Sequence, residues 1–316
     1  MIKDTVKFMK EWSIYMELYQ SLCAVTKEEN VLKDEPMRKH TTFRIGGPAD
    51  YFVTPESKEE IREIIALCKK ENVPYYIVGN GSNLLVGDKG YRGVILQIFK
   101  KMNQIQVEGE KITAQAGALL SKVAAAAYEA SLTGFEFAAG IPGTLGGAVR
   151  MNAGAYGGEM KQVLVSADVL TTEGEILTIP VEELGLAYRT SVVEQKDYVV
   201  LGAQIELKKG DQKEIRAQMD DLKEKRVSKQ PLEYGSAGST FKRPEGYFAG
   251  KLIQDAGLRG FRIGDAQVSE KHCGFVINRG NATAAEVMEL MKQVEERVQK
   301  DAGVSLEPEV RRIGEF

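Results

Sequence analysis

A glycine-rich segment from Phe137 to Met160, FAAGIPGTLGGAVRMNAGAYGGEM, constrains this chain more than any other part of its sequence. Glycine loses more backbone entropy on ordering than any other residue, so seven glycines in one ordered segment need a reason. A flexible linker would be polar and rich in serine, whereas Ile141, Leu145 and Val149 favour burial. The segment therefore predicts an ordered loop whose backbone N–H groups line a ligand. A purely structural glycine hinge remains the alternative.

Composition and charge limit the classes of function. The chain has 316 residues, 43% of them hydrophobic and 28% charged, which is typical of a soluble protein of two or three domains. A net charge of −3 does not favour nucleic acid or membrane surfaces, and no apolar run approaches the roughly 20 residues of a membrane span. The first 20 residues lack the apolar core of a signal peptide. Three separated cysteines (Cys23, Cys68 and Cys273) and two histidines predict a cytoplasmic protein with reduced thiols and no metal site.

The secondary-structure pattern predicts the α+β class. Residues 1–35 are expected to start as an amphipathic helix and to become charged and irregular. Ser57–Asn72 and Thr283–Asp301 have helical periodicity, and each starts with a capping-box pattern. Short strands such as Ala49–Val53 and Leu84–Val86 occupy separate blocks of the chain. Separate blocks of strands and helices are typical of α+β domains.

Two further segments have the composition of ligand-binding loops. Gly79–Asn83, GNGSN, follows a predicted strand and is compatible with a phosphate site or a hairpin turn. Gly235–Arg243, GSAGSTFKR, places a serine, Ser239, next to two cations and suits a second anionic ligand. A serine nucleophile needs an adjacent base, and no histidine lies nearby in the sequence. An acid or proton-relay role is therefore favoured over acyl transfer.

Seven segments, in this order, resemble the UDP-N-acetylenolpyruvoylglucosamine reductase (MurB) family of bacterial peptidoglycan synthesis. The resemblance runs from about His40 to Ile313, and its segments are HTTFRIGGPADYFVTP, VGNGSNLLV, AGIPGTLGGAVRMNAGAYGGEM, AYRTSVV, GSAGSTFKRP, FVINRGNAT and LEPEVRRIG. Single segments carry little information, whereas seven in order are highly specific.

The resemblance implies an α+β protein with an FAD-binding domain of the vanillyl-alcohol-oxidase/PCMH type in two subdomains, and a C-terminal substrate-binding domain. The implied boundaries are 1–39 for an N-terminal helical segment, 40–210 for the FAD-binding domain and 211–316 for the substrate domain. A last strand at about 304–313 is expected to pack back on the FAD region. The implied residues for non-covalent FAD binding are Gly79, Asn80, Gly81, Ser82, Asn83, Ile141, Pro142, Gly143, Gly146, Gly147, Ala148, Asn152 and Gly154.

The family reaction has two halves. NADPH reduces FAD, and the enolpyruvyl group of the UDP-sugar then takes a hydride at C3 and a proton at C2. By motif, Ser239 matches the proton donor, while Arg189 and Glu309 match the arginine and glutamate that stabilise charge on the substrate carboxylate. Arg226, Lys229 and Lys242 are implied contacts of the substrate diphosphate. The stretch after Tyr188 has no room for the tyrosine loop of the longer family form, so the resemblance is to the shorter subtype.

Two other functions remain compatible with the sequence. Another FAD-dependent oxidase or dehydrogenase could use the same fold, but a covalent-flavin oxidase would usually offer a tethering residue. His40 and Cys68 are the candidates, and neither lies in a flavin-binding segment. A non-catalytic nucleotide-binding protein would bind no flavin. The predicted partners are the UDP-sugar and NADPH, with no nucleic acid, membrane or protein partner.

Overall fold

A computed structural model describes residues 17–316. Residues 17–25 are helical, and residues 1–16 of the predicted N-terminal helix lie outside the described part. The other α-helices span Lys58–Lys70, Leu120–Glu129, Leu145–Arg150, Val192–Gln195, Gln212–Lys229, Ala249–Asp255 and Ala284–Ala302. The strands are β1 (Val31–Pro36), β2 (Pro48–Val53), β3 (Tyr75–Val78), β4 (Leu84–Val86), β5 (Tyr91–Gln97), β6 (Ile105–Glu108), β7 (Lys111–Gln115), β8 (Leu132–Thr133), β9 (Gly154–Ala155), β10 (Gly158–Glu159), β11 (Leu164–Leu170), β12 (Ile176–Pro180), β13 (Val199–Glu206), β14 (Lys208–Lys209), β15 (Gly235–Ser236), β16 (Arg262–Ile263), β17 (Ala266–Val268), β18 (Val276–Asn278) and β19 (Arg311–Ile313).

The first sheet has the order β1-β2-β5-β3, with β1 antiparallel to β2 and the other neighbours parallel. The helix Lys58–Lys70 packs beside it and buries Ile61, Ile64 and Cys68. Ser57 accepts a hydrogen bond from the Glu60 N–H, which confirms the predicted start of this helix. The charged stretch expected to be irregular contains the strand β1. Its pairing with β2 explains the difference, because cross-strand partners outweigh a weak local preference for strand.

The second sheet is antiparallel, with the order β12-β11-β13-β7-β6. One hydrophobic core includes Val53 and Leu96 from the first sheet and Ala114 and Leu201 from the second. Lys58, at the start of the helix Lys58–Lys70, also donates a hydrogen bond of 2.9 Å from Nζ to the Asp168 carboxylate on β11. The two sheets therefore form one packed unit.

A third sheet, β15-β18-β17-β16, packs with the helices Ala249–Asp255 and Ala284–Ala302 around a separate core. Phe43, Ile45 and Leu85 from the first part of the chain also enter this core. β19 then returns to pair in parallel with β4. In residues 17–316, none of the helices has the length and apolar character of a membrane span.

Asp88 connects the first part of the chain to the last long helix. Its two carboxylate oxygens accept hydrogen bonds from the N–H groups of Ala284 (2.7 Å) and Ala285 (2.9 Å). Thr283 and Glu286 form the predicted capping box at the same helix end. We expect Asp88→Ala to lower the free energy of unfolding by about 1–2 kcal/mol, because two helix N–H groups lose a charged acceptor. Urea denaturation measures the loss, with Lys89→Ala as the control in the same loop. An equal loss in both variants would contradict the capping role.

Candidate functional site

A cavity of about 370 Å³ lies where three segments meet: the loop after β3, the glycine-rich segment and β19. The predicted cofactor residues that line it are Gly79, Asn80, Gly81, Ser82, Asn83, Ile141, Gly143, Gly147 and Ala148. A second cavity of about 390 Å³ shares part of this wall and extends between β3 and β13. Glycine backbone thus forms one part of the wall of the 370 Å³ cavity, next to larger side chains such as Tyr76 and Arg311. We call the 370 Å³ space the cofactor cavity.

The loop Gly79–Asn83 needs glycine at two positions. A Cβ on Gly79 would lie 2.3 Å from Thr144 Oγ1, which is far inside contact distance. Gly81 has φ +61°, and a Cβ there would lie 2.1 Å from the His40 carbonyl oxygen. The side chain of Asn80 donates to the Pro142 carbonyl and so ties this loop to the glycine-rich segment. The glycines therefore allow the close approach of three backbone segments around the cavity.

The glycine-rich segment is ordered, as predicted, and folds into short turns around the helix Leu145–Arg150. Gly143 and Gly147 present bare backbone to the cofactor cavity. The nearest neighbours of an added Cβ lie 3.8 Å away at Gly143 and 3.7 Å away at Gly147, so a side chain would extend into the cavity itself. This arrangement fits a large nucleotide cofactor such as FAD, because the glycines leave the space that the cofactor needs.

Four predicted cofactor residues lie outside the lining of the cofactor cavity. Pro142 accepts the bond from Asn80. Gly146 packs against Ala116 and borders the 390 Å³ cavity. Asn152 uses its side chain to hold the segment together, through Glu159 (2.9 Å) and the Lys161 N–H (2.9 Å). Gly154 belongs to the β9–β10 ladder. Their positions indicate that these four residues support the wall of the cofactor cavity.

The structure brings Arg189, Ser239 and Glu309 together on a third cavity of about 430 Å³, which we call the substrate cavity. Arg189 occupies the tip of a tight turn in which Ala187 and Thr190 exchange backbone hydrogen bonds. Its φ of +57° is unfavourable for a residue with a Cβ. Such strain persists only where the surroundings hold it, and it is common at functional sites. The strained turn therefore supports a functional role for Arg189.

Thr240 holds Ser239 and Glu309 on adjacent segments. It is buried, its hydroxyl accepts a hydrogen bond of 2.9 Å from the Val276 N–H, and its carbonyl accepts one of 2.8 Å from the Glu309 N–H. Ser239 itself is exposed at the cavity. Asn83 Nδ2 donates to the Glu309 carbonyl at 3.1 Å, so the cofactor loop also contacts this segment. The two cavities are therefore connected through a continuous hydrogen-bonded wall.

Glu309 is 9% exposed and lies beside Arg189, with Oε1 2.7 Å from Arg189 Nε. Burial raises the pKa of Glu309 above its ordinary value, although the Arg189 guanidinium acts in the opposite direction. Its second oxygen, Oε2, is shielded from solvent and has no hydrogen-bond partner among residues 17–316. A buried acid with a free oxygen next to an arginine can hold a proton and bind a carboxylate ligand.

The three predicted diphosphate contacts, Arg226, Lys229 and Lys242, lie outside the lining of the substrate cavity. Arg226 lies against Gly140, and burial lowers its pKa. Lys242 pairs with Glu307. Burial and the charge of Lys229 both lower the pKa of His272, a residue of the cavity wall. The cavity lining contains four cations that the sequence analysis did not predict as site residues, namely Arg243, Lys251, Arg259 and Lys271.

Thr144, Arg150, Glu194, Arg311 and Arg312 also line the cofactor cavity without having been predicted. Arg311 and Arg312 lie within LEPEVRRIG, so the resemblance contained a signal for them. Thr144 and Arg150 lie within the glycine-rich segment that was predicted to line a ligand, whereas Glu194 lies just outside the quoted segments. The position of Glu194 depends on its pairing with Arg311, which a single sequence does not reveal.

Comparisons with known proteins identify the relatives of this chain. A family model described as "FAD binding domain" matches residues 49–180, and one described as "UDP-N-acetylenolpyruvoylglucosamine reductase, C-terminal domain" matches residues 230–313. A reductase of that name from Agathobacter rectalis is 58% identical over 298 residues, which cover 90% of this chain and 95% of the relative. One from Clostridium perfringens is 55% identical over 300 residues, which cover 95% of this chain and 98% of the relative.

The crystal structure of the reductase (MurB) from Thermus caldophilus has a TM-score of 0.77 and 35% identity, and the match covers 90% of this chain and 98% of that one. These matches confirm the predicted fold class, with an FAD-binding region of the expected type and a distinct C-terminal domain. They also confirm the prediction of an FAD-containing oxidoreductase. On this evidence, the chain belongs to the UDP-N-acetylenolpyruvoylglucosamine reductase family.

Proposed function

We propose that the chain reduces UDP-N-acetylenolpyruvoylglucosamine to UDP-N-acetylmuramate with NADPH, through FAD held in the cofactor cavity. The observation that carries this proposal is the meeting of Arg189, Ser239 and Glu309 on one cavity, next to a glycine-lined cleft. These residues come from three distant parts of the chain. The product is a precursor of peptidoglycan.

FAD, when bound, supplies the hydride chemistry, and the protein supplies placement and charge. We assign substrate carboxylate binding to Arg189, whose guanidinium can form charge-assisted hydrogen bonds with it. We assign a hydrogen bond to the same carboxylate to protonated Glu309, through the unpartnered Oε2. Both contacts strengthen as negative charge develops on the enolpyruvyl group, so they stabilise the transition state. Ser239 then donates the proton to C2.

We propose that the nucleotide part of the substrate binds among the cations of the substrate cavity. Arg226, Lys229 and Lys242 remain the proposed diphosphate contacts. Arg243 adds a cation within the lining and lies 4.0 Å from the ring centroid of Phe248. The exposed Phe248 ring offers an apolar surface beside those charges. A cavity with both properties suits a nucleoside diphosphate sugar better than a small apolar substrate.

Absorption spectroscopy of the purified protein and steady-state kinetics test the proposal together. We expect a yellow protein whose FAD is released on denaturation, and NADPH oxidation that depends on the enolpyruvyl UDP-sugar. A flavin-free protein with no FAD affinity would exclude this enzyme class. Rapid NADPH oxidation with oxygen alone, unaffected by the UDP-sugar, would favour an oxidase.

The environments of Cys68 and His40, the two candidate tethering residues, favour non-covalent binding of FAD. Cys68 is buried on the helix Lys58–Lys70, and burial raises its pKa to about 12, so its thiolate is scarce at neutral pH. The His40 ring stacks on Phe52 and lies 2.9 Å from the Glu35 carboxylate. These contacts account for both side chains without a flavin bond, which disfavours a covalent-flavin oxidase on the same fold.

We retain 1–39, 40–210 and 211–316 as the proposed division of the chain. The two larger hydrophobic cores support it, since one ends at Leu207 and the other is built mainly from residues after Ala237. Within 1–39, β1 extends the sheet of the second segment.

The raised pKa of Glu309 leads to a pH prediction. Its carboxyl group keeps a proton at higher pH than an ordinary glutamate does, and only that form donates to the substrate carboxylate. We therefore expect the rate constant of substrate reduction to fall as pH rises through this pKa. Glu309→Gln keeps a hydrogen-bond donor and removes the titration, so this decline should disappear from the pH profile. An unchanged decline in Glu309→Gln would assign the titration to another group.

A further inference from the structure

Two ion pairs with opposite polarity connect the same two segments of the chain. Arg189 pairs with Glu309, and, a few residues further along each segment, Glu194 pairs with Arg311. The first pair borders the substrate cavity, and both members of the second line the cofactor cavity. The first pair belongs to the proposed chemistry. The second has no role in it.

The Glu194–Arg311 pair is held from both sides. Glu194 lies on the short helix Val192–Gln195, whose cap Ser191 accepts from the Glu194 N–H. The Ser191 hydroxyl also donates a hydrogen bond of 2.6 Å to the Arg150 carbonyl, at the end of the glycine-rich segment's helix. On the other side, the Arg311 N–H donates to the Asn83 carbonyl at 3.0 Å. The pair therefore bridges the two loops that line the cofactor cavity.

The two partners differ in their exposure. The Arg311 side chain is 55% exposed, whereas that of Glu194 is 18% exposed. Glu194 Oε2 is shielded from solvent and has no hydrogen-bond partner in the described residues 17–316. A carboxylate kept in this position partly cancels the field of the guanidinium beside it. Both side chains line the cofactor cavity, so this cancellation acts on the occupant of the cavity.

We propose that Glu194 is a positioning residue that holds Arg311 at the wall of the cofactor cavity and reduces the positive charge that Arg311 presents to FAD. FAD carries a diphosphate, and its reduction adds electron density, so both its affinity and its reduction potential respond to this charge. Glu194 thereby keeps the affinity for FAD and its reduction potential below the values that an unpaired arginine would give. The inference rests on the proposed function only in taking FAD as the occupant.

Titration of FAD-free protein with FAD, followed by flavin fluorescence, tests the inference without turnover. Glu194→Gln keeps a hydrogen-bonding group for Arg311 and removes one negative charge, so we expect FAD to bind about three- to tenfold more tightly. The midpoint potential of the bound flavin should shift to a more positive value. Arg311→Gln should weaken FAD binding by about tenfold, and the double variant should return close to the wild-type affinity.

Asp221→Asn is the matched control, because it removes the same charge from an exposed pair with Lys225 on the helix Gln212–Lys229. It should leave both readouts unchanged. Unchanged or weaker FAD binding in Glu194→Gln, in a protein that binds FAD normally, would overturn this inference alone. Failure of the wild-type protein to bind FAD would instead overturn the proposed function. Thermal unfolding of each FAD-free variant separates a folding defect from a change in the cavity.

Discussion

Replacement of Ser239 by alanine is expected to leave the reduction of bound FAD by NADPH within about twofold of wild type, and to slow substrate reduction by at least about a hundredfold. Ser239 is exposed at the substrate cavity, and Thr240 beside it carries the hydrogen bonds that hold the loop. Removal of the hydroxyl therefore removes a proton donor with little effect on the framework. The two half-reactions should separate because only the second needs a proton at C2.

Stopped-flow absorbance measures each half-reaction of Ser239→Ala separately. Ser236→Ala is the matched control, since Ser236 lies in β15 of the same loop and contacts Thr42 through its own backbone. Its N–H donates to the Thr42 carbonyl, and its carbonyl accepts from the Thr42 hydroxyl. The control should leave both half-reactions near wild type. If Ser239→Ala slowed the two half-reactions equally, its role would be to shape the cavity and not to donate the proton.

A leucine at Gly147 is expected to abolish FAD binding, with a rise in the dissociation constant of more than about a hundredfold. The Cα of Gly147 faces the cofactor cavity, and the nearest atom to an added Cβ is Thr144 Oγ1 at 3.7 Å. The leucine side chain would therefore fill space that the cofactor needs without a clash within the fold. The FAD-free protein should keep its melting temperature, because glycine in a helix is not a favourable residue.

The series Gly147→Ala, Val and Leu makes this test graded. Loss of FAD should increase with side-chain size, and alanine should retain most of the affinity. Isothermal titration of the FAD-free variants measures the affinity, and thermal unfolding checks the fold. Equal FAD affinity across the series would mean that the cofactor does not contact this face of the helix.

The prediction that the glycine-rich segments form ordered loops rests on a local property of the sequence, and their role in FAD binding stays a prediction. Where another group lies this close to the Cα, only glycine fits. Gly79 lies against the Thr144 hydroxyl, and Gly81 lies against the His40 carbonyl. Their residue type therefore reports the three-dimensional contact directly. The grouping of Arg189, Ser239 and Glu309 came from the family motifs instead, because arginine, serine and glutamate are common in turns and on surfaces. The structure now places them on one cavity.

The features that sequence reasoning missed depend on contacts between distant segments. The strand β1 forms because β2 provides its partner, and its own residues are largely exposed and charged. From the sequence alone, Glu194 is expected to be an ordinary surface residue of a short helix. In the structure it pairs with Arg311 and lines the cofactor cavity. The cations Lys251 and Lys271 follow no spacing rule, because the substrate cavity gathers them from separate elements.

The parallel pairing of β19 with β4 has a consequence for biogenesis. Asn83 and Glu309, which this pairing brings into contact, are 226 residues apart in the sequence. A ribosome that adds about 5–20 residues per second would therefore need more than about 10 seconds to deliver the second segment after the first. During that interval the nascent chain has the glycine loops but neither the wall that carries Arg311 nor Glu309. The complete cavity, and with it capture of FAD at full affinity, must then follow the synthesis of β19.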